Sequence, residues 1–273
     1  MKLSIITICY NEANIRSTCE SIINQSYKDF EWIVIDGGSE EATLDILNEY
    51  REHMAIFVSE KDHGVYNAMN KGIELAQGEY LNFMNGGDYY FDNDSLKRVA
   101  EFGLDKDIIY GDQRFLTGAD YFEKKYPKTL PYKWFIKDCL PHQSSFIKRG
   151  LFDNYGKYNE KYKIVSDWEK WIIFIEINKV SYKHINTMVA IHRYDGISSV
   201  YDETHLNERK DIIKKYYGQC DSCKEIGRTI FEPKKYIKLF KKIHLLKFVS
   251  NETEICLYLF EHFPVLKIVR ENL

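Results

Sequence analysis

The sequence predicts an α/β fold in which a mostly parallel sheet is flanked by helices and followed by a helical C-terminal extension. Short apolar runs alternate with helical patterns over residues 1–90. The runs are almost continuously apolar, which is typical of strands covered on both faces. Near residue 203 the pattern changes to helices alone. We therefore expect one domain over 1–203 and a helical, locally basic extension over 204–273.

Four strands are predicted in the first part of the chain from their length and their strand-like composition. They cover residues 3–9, 32–35, 55–58 and 80–84. Two helices are predicted between them, because apolar residues recur there at the spacing of one helix face. The first helix rests on Ile15, Cys19, Ile22 and Ile23, and the second on Val65, Ala68, Met69, Gly72 and Ile73.

The later elements follow a less regular pattern. Strands are predicted at 107–110 and 144–148, and a strongly apolar helix at 167–178. Ser166 and Glu169 stand at the spacing of a capping box, which assigns both residues to the start of that helix. Further helices are predicted in the extension, at 203–217, 233–249 and 252–262.

Composition excludes several classes of protein. The 273 residues contain 38 Lys and Arg against 41 Asp and Glu, so a generally basic nucleic-acid binder is not expected. No apolar run reaches the roughly 18 residues that a membrane span requires. The first residues have the pattern of a strand and not of a secretory signal, and six cysteines are too sparse for a disulfide scaffold. We therefore expect a cytoplasmic protein.

The segment 233–248 is locally basic, with six lysines and no acidic residue. Its apolar residues fall on one helical stripe that most of the lysines flank. An interfacial helix on an anionic membrane has this pattern, and so has a helix whose apolar stripe packs on its own domain. Peripheral binding to the cytoplasmic face of the inner membrane through 233–249 is thus one of two open expectations.

Two acidic residues follow predicted strands, at the edge where parallel sheets bind ligands. Asp36 begins a run of Asp-Gly-Gly-Ser, and Asp88 ends a run of Asn-Gly-Gly-Asp. A carboxylate in this position suits Mg²⁺ or Mn²⁺, and the glycines let a ligand approach the backbone. Turn chemistry alone also explains Asp and Gly in such runs, so both interpretations stay open.

Several blocks of the sequence strongly resemble family 2 glycosyltransferases, in order and in spacing. The resemblance is to the bacterial branch that builds capsule, colanic-acid-like and O-antigen polysaccharides, and it covers residues 1 to about 200. The blocks are residues 4–11, 30–39, 59–73, 78–88, 141–146, 165–171 and 189–198.

The resemblance implies a GT-A, Rossmann-like fold and an inverting transfer of a hexose from a nucleotide diphosphate donor, with UDP foremost. The acceptor would be a saccharide hydroxyl, lipid-linked and used in polysaccharide biosynthesis. Seven residues would bind the donor: Thr7, Asn11, Glu12 and Asp36 at the nucleoside, and Asp62, Asn67 and Lys71 near the nucleotide or its phosphates.

The resemblance also assigns the reaction centre. Asp88 would hold Mn²⁺ or Mg²⁺, and Asp167 would be the general base. The metal motif commonly contains two acids, but Gly86 and Gly87 precede Asp88, so His192 is considered as a further ligand. A histidine in an apolar run is also compatible with simple packing, and an acid in the first turn of a helix is favoured by the helix dipole.

His142 and Gln143 resemble a His-Gln pair of the family and would face the sugar or the acceptor. A loop that caps its own backbone is the alternative for this pair. Cys220 and Cys223 form one C-x-x-C without a second pair, so no zinc site is expected.

Two other functions were weighed against the transferase. The reduced metal motif is compatible with a scaffold that binds a nucleotide sugar without catalysis. A sugar nucleotidyltransferase is less favoured, because residues 9–14, after the first strand, contain no glycine.

Overall fold

The computed structural model describes residues 2–118, 120–193 and 202–218, together with two short strands at 255–257 and 266–268. The strands are β1 Leu3–Cys9, β2 Phe30–Asp36, β3 Ile56–Ser59, β4 Tyr80–Phe83, β5 Tyr89–Tyr90, β6 Ile108–Thr117, β7 Asp120–Lys124, β8 Ser145–Lys148, β9 Tyr182–Arg193, β10 Ile255–Leu257 and β11 Leu266–Ile268. The α-helices are α1 Ile15–Ile23, α2 Glu41–Glu49, α3 Val65–Leu75, α4 Ser95–Phe102, α5 Trp134–Lys137, α6 Gly150–Tyr155, α7 Ser166–Trp171 and α8 Glu203–Tyr217.

The sheet confirms the predicted fold class. β1 lies between β2 and β4 and is parallel to both, and β3 extends the parallel part beyond β2. β8 joins the other edge of β4 in the antiparallel sense, and β6 follows it. β9 runs parallel to β6, and β5 pairs with β9. The carboxyl ends of β1, β2 and β4 therefore open on the same edge.

Two core layers explain why the central strands are apolar without interruption. Ile6 and Ile8 of β1 pack in the layer that contains α3 and α7. Leu3 and Ile5 of the same strand pack in the opposite layer, which contains α1 and α4. Because successive side chains of a strand point to opposite faces, a strand covered on both sides needs apolar residues at nearly every position.

The region around residues 165–178 differs from the prediction. The α-helix covers Ser166–Trp171 and continues as a π-helix over Ile172–Ile177. The predicted capping box is wrong, because no side chain caps this helix. Ser166 Oγ accepts a hydrogen bond from the Asn159 N–H (2.6 Å), and Glu169 Oε1 accepts from Lys215 Nζ and Tyr216 OH, both at 2.9 Å.

The first helix of the predicted extension packs as part of the first domain. α8 matches the predicted span of 203–217. Its Ile212 and Ile213 are buried in the core layer of α7, and Arg209 lies 4.1 Å above the ring of Trp168. The first part of 204–273 thus completes the core beside α7.

The rest of the extension is described only in part. The predicted helix at 252–262 is wrong at 255–257, where β10 pairs with β11 and β11 continues the sheet beyond β7. Pairing with the sheet edge overrides the local helical pattern there. The predicted helix 233–249 and the pair Cys220 and Cys223 lie outside the described residues. Within the described ranges no helix has the length and apolar character to cross a membrane.

Candidate active site

The site begins at the carboxyl end of β2, where Asp36 is fully buried. Its Oδ2 accepts hydrogen bonds from the backbone N–H groups of Ser39 (2.9 Å) and Gly38 (3.1 Å) and from Ser59 Oγ (2.7 Å). Its Oδ1 accepts from Ser39 Oγ. This carboxylate therefore organises the loop after β2, as the turn interpretation predicts.

The loop after β1 is tied to the loop after β2 through Asn11. The Asn11 N–H donates to Ser39 Oγ (2.8 Å), and Asn11 Oδ1 accepts from the Glu40 N–H (2.7 Å). Asn11 has a φ of 48°, in the left-handed region that asparagine tolerates better than most residues. Because Asp36 also binds Ser39, the two loops form one unit at this edge of the sheet.

Glu12 lies against the two glycines that precede Asp88. A Cβ built on Gly86 would stand 3.0 Å from Cys9 Cβ and 3.2 Å from Glu12 Cγ. Gly87 has a φ of 91°, which favours glycine. An acid at either position would be crowded or strained, so the packing around Glu12 accounts for the reduced metal motif.

Thr7 does not reach the surface of the site. It lies in the middle of β1, is fully buried, and its Oγ1 accepts a hydrogen bond from Trp32 Nε1 (3.0 Å). We predicted this hydroxyl at the nucleoside, but the structure places it in a core layer, where it is the partner of the indole. Because both faces of β1 are covered, the side chain of a residue in the middle of this strand points into one of the two core layers.

Asp62 lies next to the turn that Asp36 organises. A Cβ built on Gly37 would stand 2.6 Å from Asp62 Oδ2, so the missing side chain lets this carboxylate approach the backbone. Asp62 Oδ1 accepts from the Gly64 N–H (2.9 Å), just before α3. The structure therefore places Asp62 beside the turn that Asp36 organises, and its role at the donor stays a prediction.

Asn67 and Lys71 both have acidic partners on the same side of the site. Asn67 Nδ2 donates to Glu160 Oε2 (3.0 Å). Lys71 Nζ forms an ion pair with Glu60 Oε1 (2.7 Å), and 25% of the lysine side chain is exposed. A phosphate at Lys71 would therefore compete with a surface carboxylate and would not have to enter a closed core.

Asp88 is buried and surrounded by three donors. Its Oδ1 lies 2.9 Å from His192 Nδ1 and accepts from the Arg193 N–H (3.1 Å), while its Oδ2 accepts from Gln143 Nε2 (2.8 Å). Burial alone raises the pKa of a carboxyl group, but the charge and the hydrogen bond of His192 and the amide of Gln143 hold the pKa of Asp88 below its usual value. Asp88 is therefore held as an anion.

Asp167 lies in the first turn of α7, with a donor at each of its oxygens. Oδ1 accepts from Tyr66 OH (2.9 Å), and Oδ2 lies 3.3 Å from His142 Nδ1. Burial opposes ionisation, but His142, Tyr66 and the N–H of Trp168 outweigh it and lower the pKa of Asp167. The ionised form, which a general base requires, is thus the stable one.

Two adjacent residues connect these carboxylates. Gln143 binds Asp88 and His142 binds Asp167, and Asn85 Nδ2 lies 3.2 Å from His142 Nε2. The two acids predicted for the reaction centre are therefore bound by side chains that are neighbours in the chain. His142 and Gln143 contact these acids through their side chains, so the alternative of a loop that caps only its own backbone does not describe them.

Comparison with known proteins agrees with this geometry. Residues 4–168 match the family model described as "Glycosyl transferase family 2", which is more than half of the chain. The chain belongs to this family. The match ends at Trp168, immediately after the acid that the resemblance assigns as general base.

Relatives of this glycosyltransferase carry the same activity in their names. It is 31% identical over 223 residues to a "PGL/p-HBAD biosynthesis glycosyltransferase" of Mycobacterium bovis, covering 76% of this chain and 82% of the relative. It is 30% identical over 197 residues to an uncharacterized glycosyltransferase of Rickettsia typhi, covering 67% of this chain and 61% of the relative. The protein is therefore an enzyme of the glycosyltransferase class.

Solved structures show the GT-A fold of the enzyme. Staphylococcus aureus TarS in complex with UDP superimposes with a TM-score of 0.63 at 21% identity, covering 81% of this chain and 67% of the other. A mannosyltransferase of Pyrobaculum calidifontis, in complex with GDP-Man and Mn²⁺, gives a TM-score of 0.57 at 13% identity, covering 90% of this chain and 81% of the other.

Among the residues that the structure describes, no three His, Cys, Asp or Glu side chains come together in a way that would hold an ion. Asp88 and His192 lie in contact, and with a neutral imidazole they would offer one carboxylate and one ring nitrogen, ligand types that Mn²⁺ accepts. Because protein carboxylates often share a divalent cation with substrate phosphates, this pair fits an ion that a diphosphate also binds.

Three residues that the sequence did not indicate contact the candidate site residues. Tyr66 and Asn85 contact the two residues at the proposed base, Asp167 and His142. Glu160 accepts hydrogen bonds from Asn67 and Asn70 of α3. The sequence contains only a weak indication of these contacts. Tyr66 and Asn70 carry polar groups and stand four residues apart on the buried face of α3, which indicates hydrogen-bond partners inside the domain.

Proposed function

We propose that this enzyme is an inverting glycosyltransferase that moves a hexose from a nucleotide diphosphate donor, UDP-hexose foremost, to a hydroxyl of a saccharide acceptor. The observation that supports the proposal is that the adjacent residues His142 and Gln143 bind Asp167 and Asp88, two carboxylates whose pKa values are lowered. A single displacement uses two carboxylates. Asp88 would act at the leaving diphosphate, and Asp167 would act on the attacking hydroxyl.

The leaving group needs positive charge, because departure of the diphosphate leaves negative charge on its β-phosphate oxygen. Asp88 and His192 are the residues that would hold Mn²⁺ or Mg²⁺ there. Bound in this position, the cation would stabilise that charge as a Lewis acid. Gln143 and the Arg193 N–H keep Asp88 oriented by the bonds described above.

The attacking hydroxyl must lose a proton as its bond to the anomeric carbon forms. Asp167 is ionised, and Tyr66 and His142 occupy one lone pair on each of its oxygens. A carboxylate has about four lone-pair sites, so capacity remains for an acceptor hydroxyl. One displacement inverts the anomeric configuration and needs no covalent sugar intermediate, so we assign no nucleophilic side chain.

The nucleotide half of the donor would lie at the joined loops after β1 and β2. Asn11, Glu12, Asp36 and Asp62 line this edge, and Lys71 is the cation near it. Asp36 would act mainly through the loop that it holds, because its oxygens already accept five hydrogen bonds, including one from Cys9 Sγ.

A lipid-linked acceptor and peripheral membrane binding are supported by the composition of 233–249. The six lysines of 233–248 would meet anionic headgroups, and the lipid anchor of the acceptor would lie in the same membrane. Anionic vesicles should sediment the full-length protein at low salt and release it at high salt, because screening weakens the attraction. Equal sedimentation with neutral vesicles would exclude this part of the proposal.

The test of the proposed reaction is a panel of nucleotide sugars, read first by thermal stabilisation with and without Mn²⁺. The stabilising donor is then incubated with saccharide acceptors, and NMR follows the anomeric configuration. Inversion is expected. Retention of configuration would overturn the single displacement, and transfer at full rate in the presence of chelator would remove the cation from the proposal.

A scaffold that binds nucleotide sugars without catalysis is the alternative, and the matched family and relatives, which are named glycosyltransferases, do not favour it. It is motivated only by the reduced metal motif, in which Gly86 and Gly87 precede Asp88. Hydrolysis or transfer of any donor sugar by the purified protein, lost on Asp167→Asn, would exclude it.

A further inference from the structure

His142 is held between two side chains of different chemistry. Its Nδ1 lies 3.3 Å from Asp167 Oδ2, and its Nε2 lies 3.2 Å from Asn85 Nδ2. The imidazole is mostly buried, with 18% of the side chain exposed. Both ring nitrogens therefore have partners inside the protein, and these partners decide where the ring carries its proton.

Asp167 and Asn85 both favour the same tautomer of His142. An ionised carboxylate only accepts hydrogen bonds, so His142 Nδ1 must donate to Asp167. The Asn85 Nδ2 group only donates, so His142 Nε2 must present its lone pair to it. A neutral imidazole with its proton on Nδ1 satisfies both contacts. A doubly protonated ring would set its Nε2–H against the amide donor of Asn85.

We propose that Asn85 and His142 are positioning residues for Asp167, with Asn85 selecting the neutral Nδ1–H tautomer of His142 that orients the carboxylate toward the acceptor hydroxyl. This inference rests on the proposed function, in which Asp167 is the base. It assigns His142 to the base and not to the sugar pocket, where the sequence placed it.

Several other ionisable groups near Asp167 are neutral. Burial raises the pKa of Tyr66, Tyr158 and Cys139, so these groups stay neutral. Burial also lowers the pKa of His205, on α8, to about 4, so its imidazole is neutral as well. The titratable groups that act on Asp167 or feel its charge include those of Tyr66, Cys139, His142, Tyr158 and His205, and the charged Arg209 lies over the neighbouring Trp168.

The neutral tautomer has a chemical advantage. A donor at Oδ2 holds Asp167 in one orientation, as Tyr66 does at Oδ1. A cationic imidazole at the same place would hold the carboxylate more tightly and weaken it as a base. The amide Nδ2 of Asn85 faces the nitrogen that a second proton would occupy. Asn85 Oδ1 is buried, with no partner among the described residues.

The direct test is the protonation of His142 by ¹H–¹⁵N NMR of the imidazole rings in the full chain. The protein contains 8 histidines, and the signal of His142 is the one that disappears in His142→Asn. We expect an Nδ1–H, Nε2-unprotonated ring in the wild-type protein. Asn85→Asp replaces the amide with an acceptor, so a proton should appear on Nε2. An Nε2–H ring in the wild-type protein overturns the proposal.

A kinetic test uses two amides that mimic the two nitrogens. His142→Asn keeps a donor near the Nδ1 position, whereas His142→Gln places it near Nε2. We expect His142→Asn to lower kcat less than about tenfold and His142→Gln about a hundredfold, at unchanged donor KM. The matched controls are His53→Asn and His53→Gln, at a histidine whose side chain is 48% exposed. Equal loss in both His142 variants overturns the proposal.

The NMR test and the kinetic test together distinguish a failure of this inference from a failure of the proposed function. If no donor sugar is transferred by the wild-type protein but the ring carries its proton on Nδ1, the proposed function fails and the tautomer stands. If transfer occurs and Nε2 carries the proton, the positioning inference alone fails. Circular dichroism checks that Asn85→Asp is folded, and if it is not, the wild-type NMR signal and the His142 pair decide.

Discussion

The two sides of the site hold their carboxylates in different ways. Asp36, on the proposed nucleotide side, is bound by groups from the loops at the ends of neighbouring strands, chiefly Gly38, Ser39 and Ser59. Asp88, on the proposed side of the chemistry, is bound by Gln143 and His192 from segments far along the chain. The hydrogen bonds of Asp36 therefore stabilise a local loop, whereas those of Asp88 fix the position of a buried negative charge.

The difference has a consequence for mutation. A carboxylate that binds backbone N–H groups stabilises the local fold, so its loss is felt first in the free energy of unfolding. A carboxylate oriented by distant side chains is costly to bury and contributes through its charge at a reacting centre. We therefore expect substitutions on the two sides to separate into losses of stability and losses of rate.

The largest effect is expected for Asp167→Asn, which keeps the shape of the side chain but removes the base. Turnover should fall by about 10²–10⁴-fold, with donor affinity nearly unchanged. Initial rates and donor titration by calorimetry measure the two quantities. Asp153→Asn, at an exposed position of α6, is the matched control and should leave both unchanged. Near-normal turnover in Asp167→Asn would remove this residue from the reaction.

Asp88→Asn is expected to have the next largest effect, about 10²–10³-fold on turnover, because the departing diphosphate loses its stabilisation. The variant should also lose the additional thermal stabilisation that Mn²⁺ gives in the presence of donor. Asp45→Asn, exposed on α2, is the control. If Asp88→Asn keeps the full response to Mn²⁺, the cation is held elsewhere, and the rate loss must come from the protein network.

The fold and one side of the site were accessible from sequence because they depend on neighbours in the chain. The alternation of strands and helices is a local pattern, and Asp36 lies at a strand end that the pattern locates. Asp62 was indicated only by the family resemblance. The burial of Thr7 could not be predicted in this way. The face of β1 to which its side chain points is fixed only when both core layers pack.

The side of the chemistry was less accessible because its contacts are long-range. The spacing of Ser166 and Glu169 indicated a capping box, but Lys215 and Tyr216 of α8 bind that glutamate in the folded chain. Tyr66 bonds to Asp167 across a long stretch of sequence. Such partners depend on how helices pack against one another, which a local pattern does not contain.

Asp36→Asn tests the structural side. One oxygen becomes a donor among groups that are themselves donors, so we expect a loss of about 1–3 kcal/mol in the free energy of unfolding. Donor affinity should fall with it, since Ser39 also binds Asn11. Denaturant unfolding and donor titration measure both. A variant with normal stability and a large loss of rate would place Asp36 with the chemistry and break the comparison.

The pH dependence of stability should show the buried anions. The pKa values of Asp88 and Asp167 are lowered in the folded protein, so the unfolded chain binds more protons in acid. Their contribution is full above the unfolded pKa of about 3.9 and is lost as the pH falls through the folded pKa. From about pH 5 downward, the wild-type protein should lose more unfolding free energy than Asp88→Asn. Parallel curves would contradict the lowered pKa of Asp88.

The smallest effect is expected for Lys71→Met, at the boundary of the nucleotide side. The exposed ion pair with Glu60 contributes about 0–1 kcal/mol, so stability should hardly change. If a phosphate replaces Glu60 at this ammonium, the donor KM should rise severalfold at unchanged kcat. Lys157→Met breaks the comparable surface pair with Glu74 and is the control. An unchanged KM in Lys71→Met would assign Lys71 to the scaffold and leave the cation and the loop amides as the donor's partners.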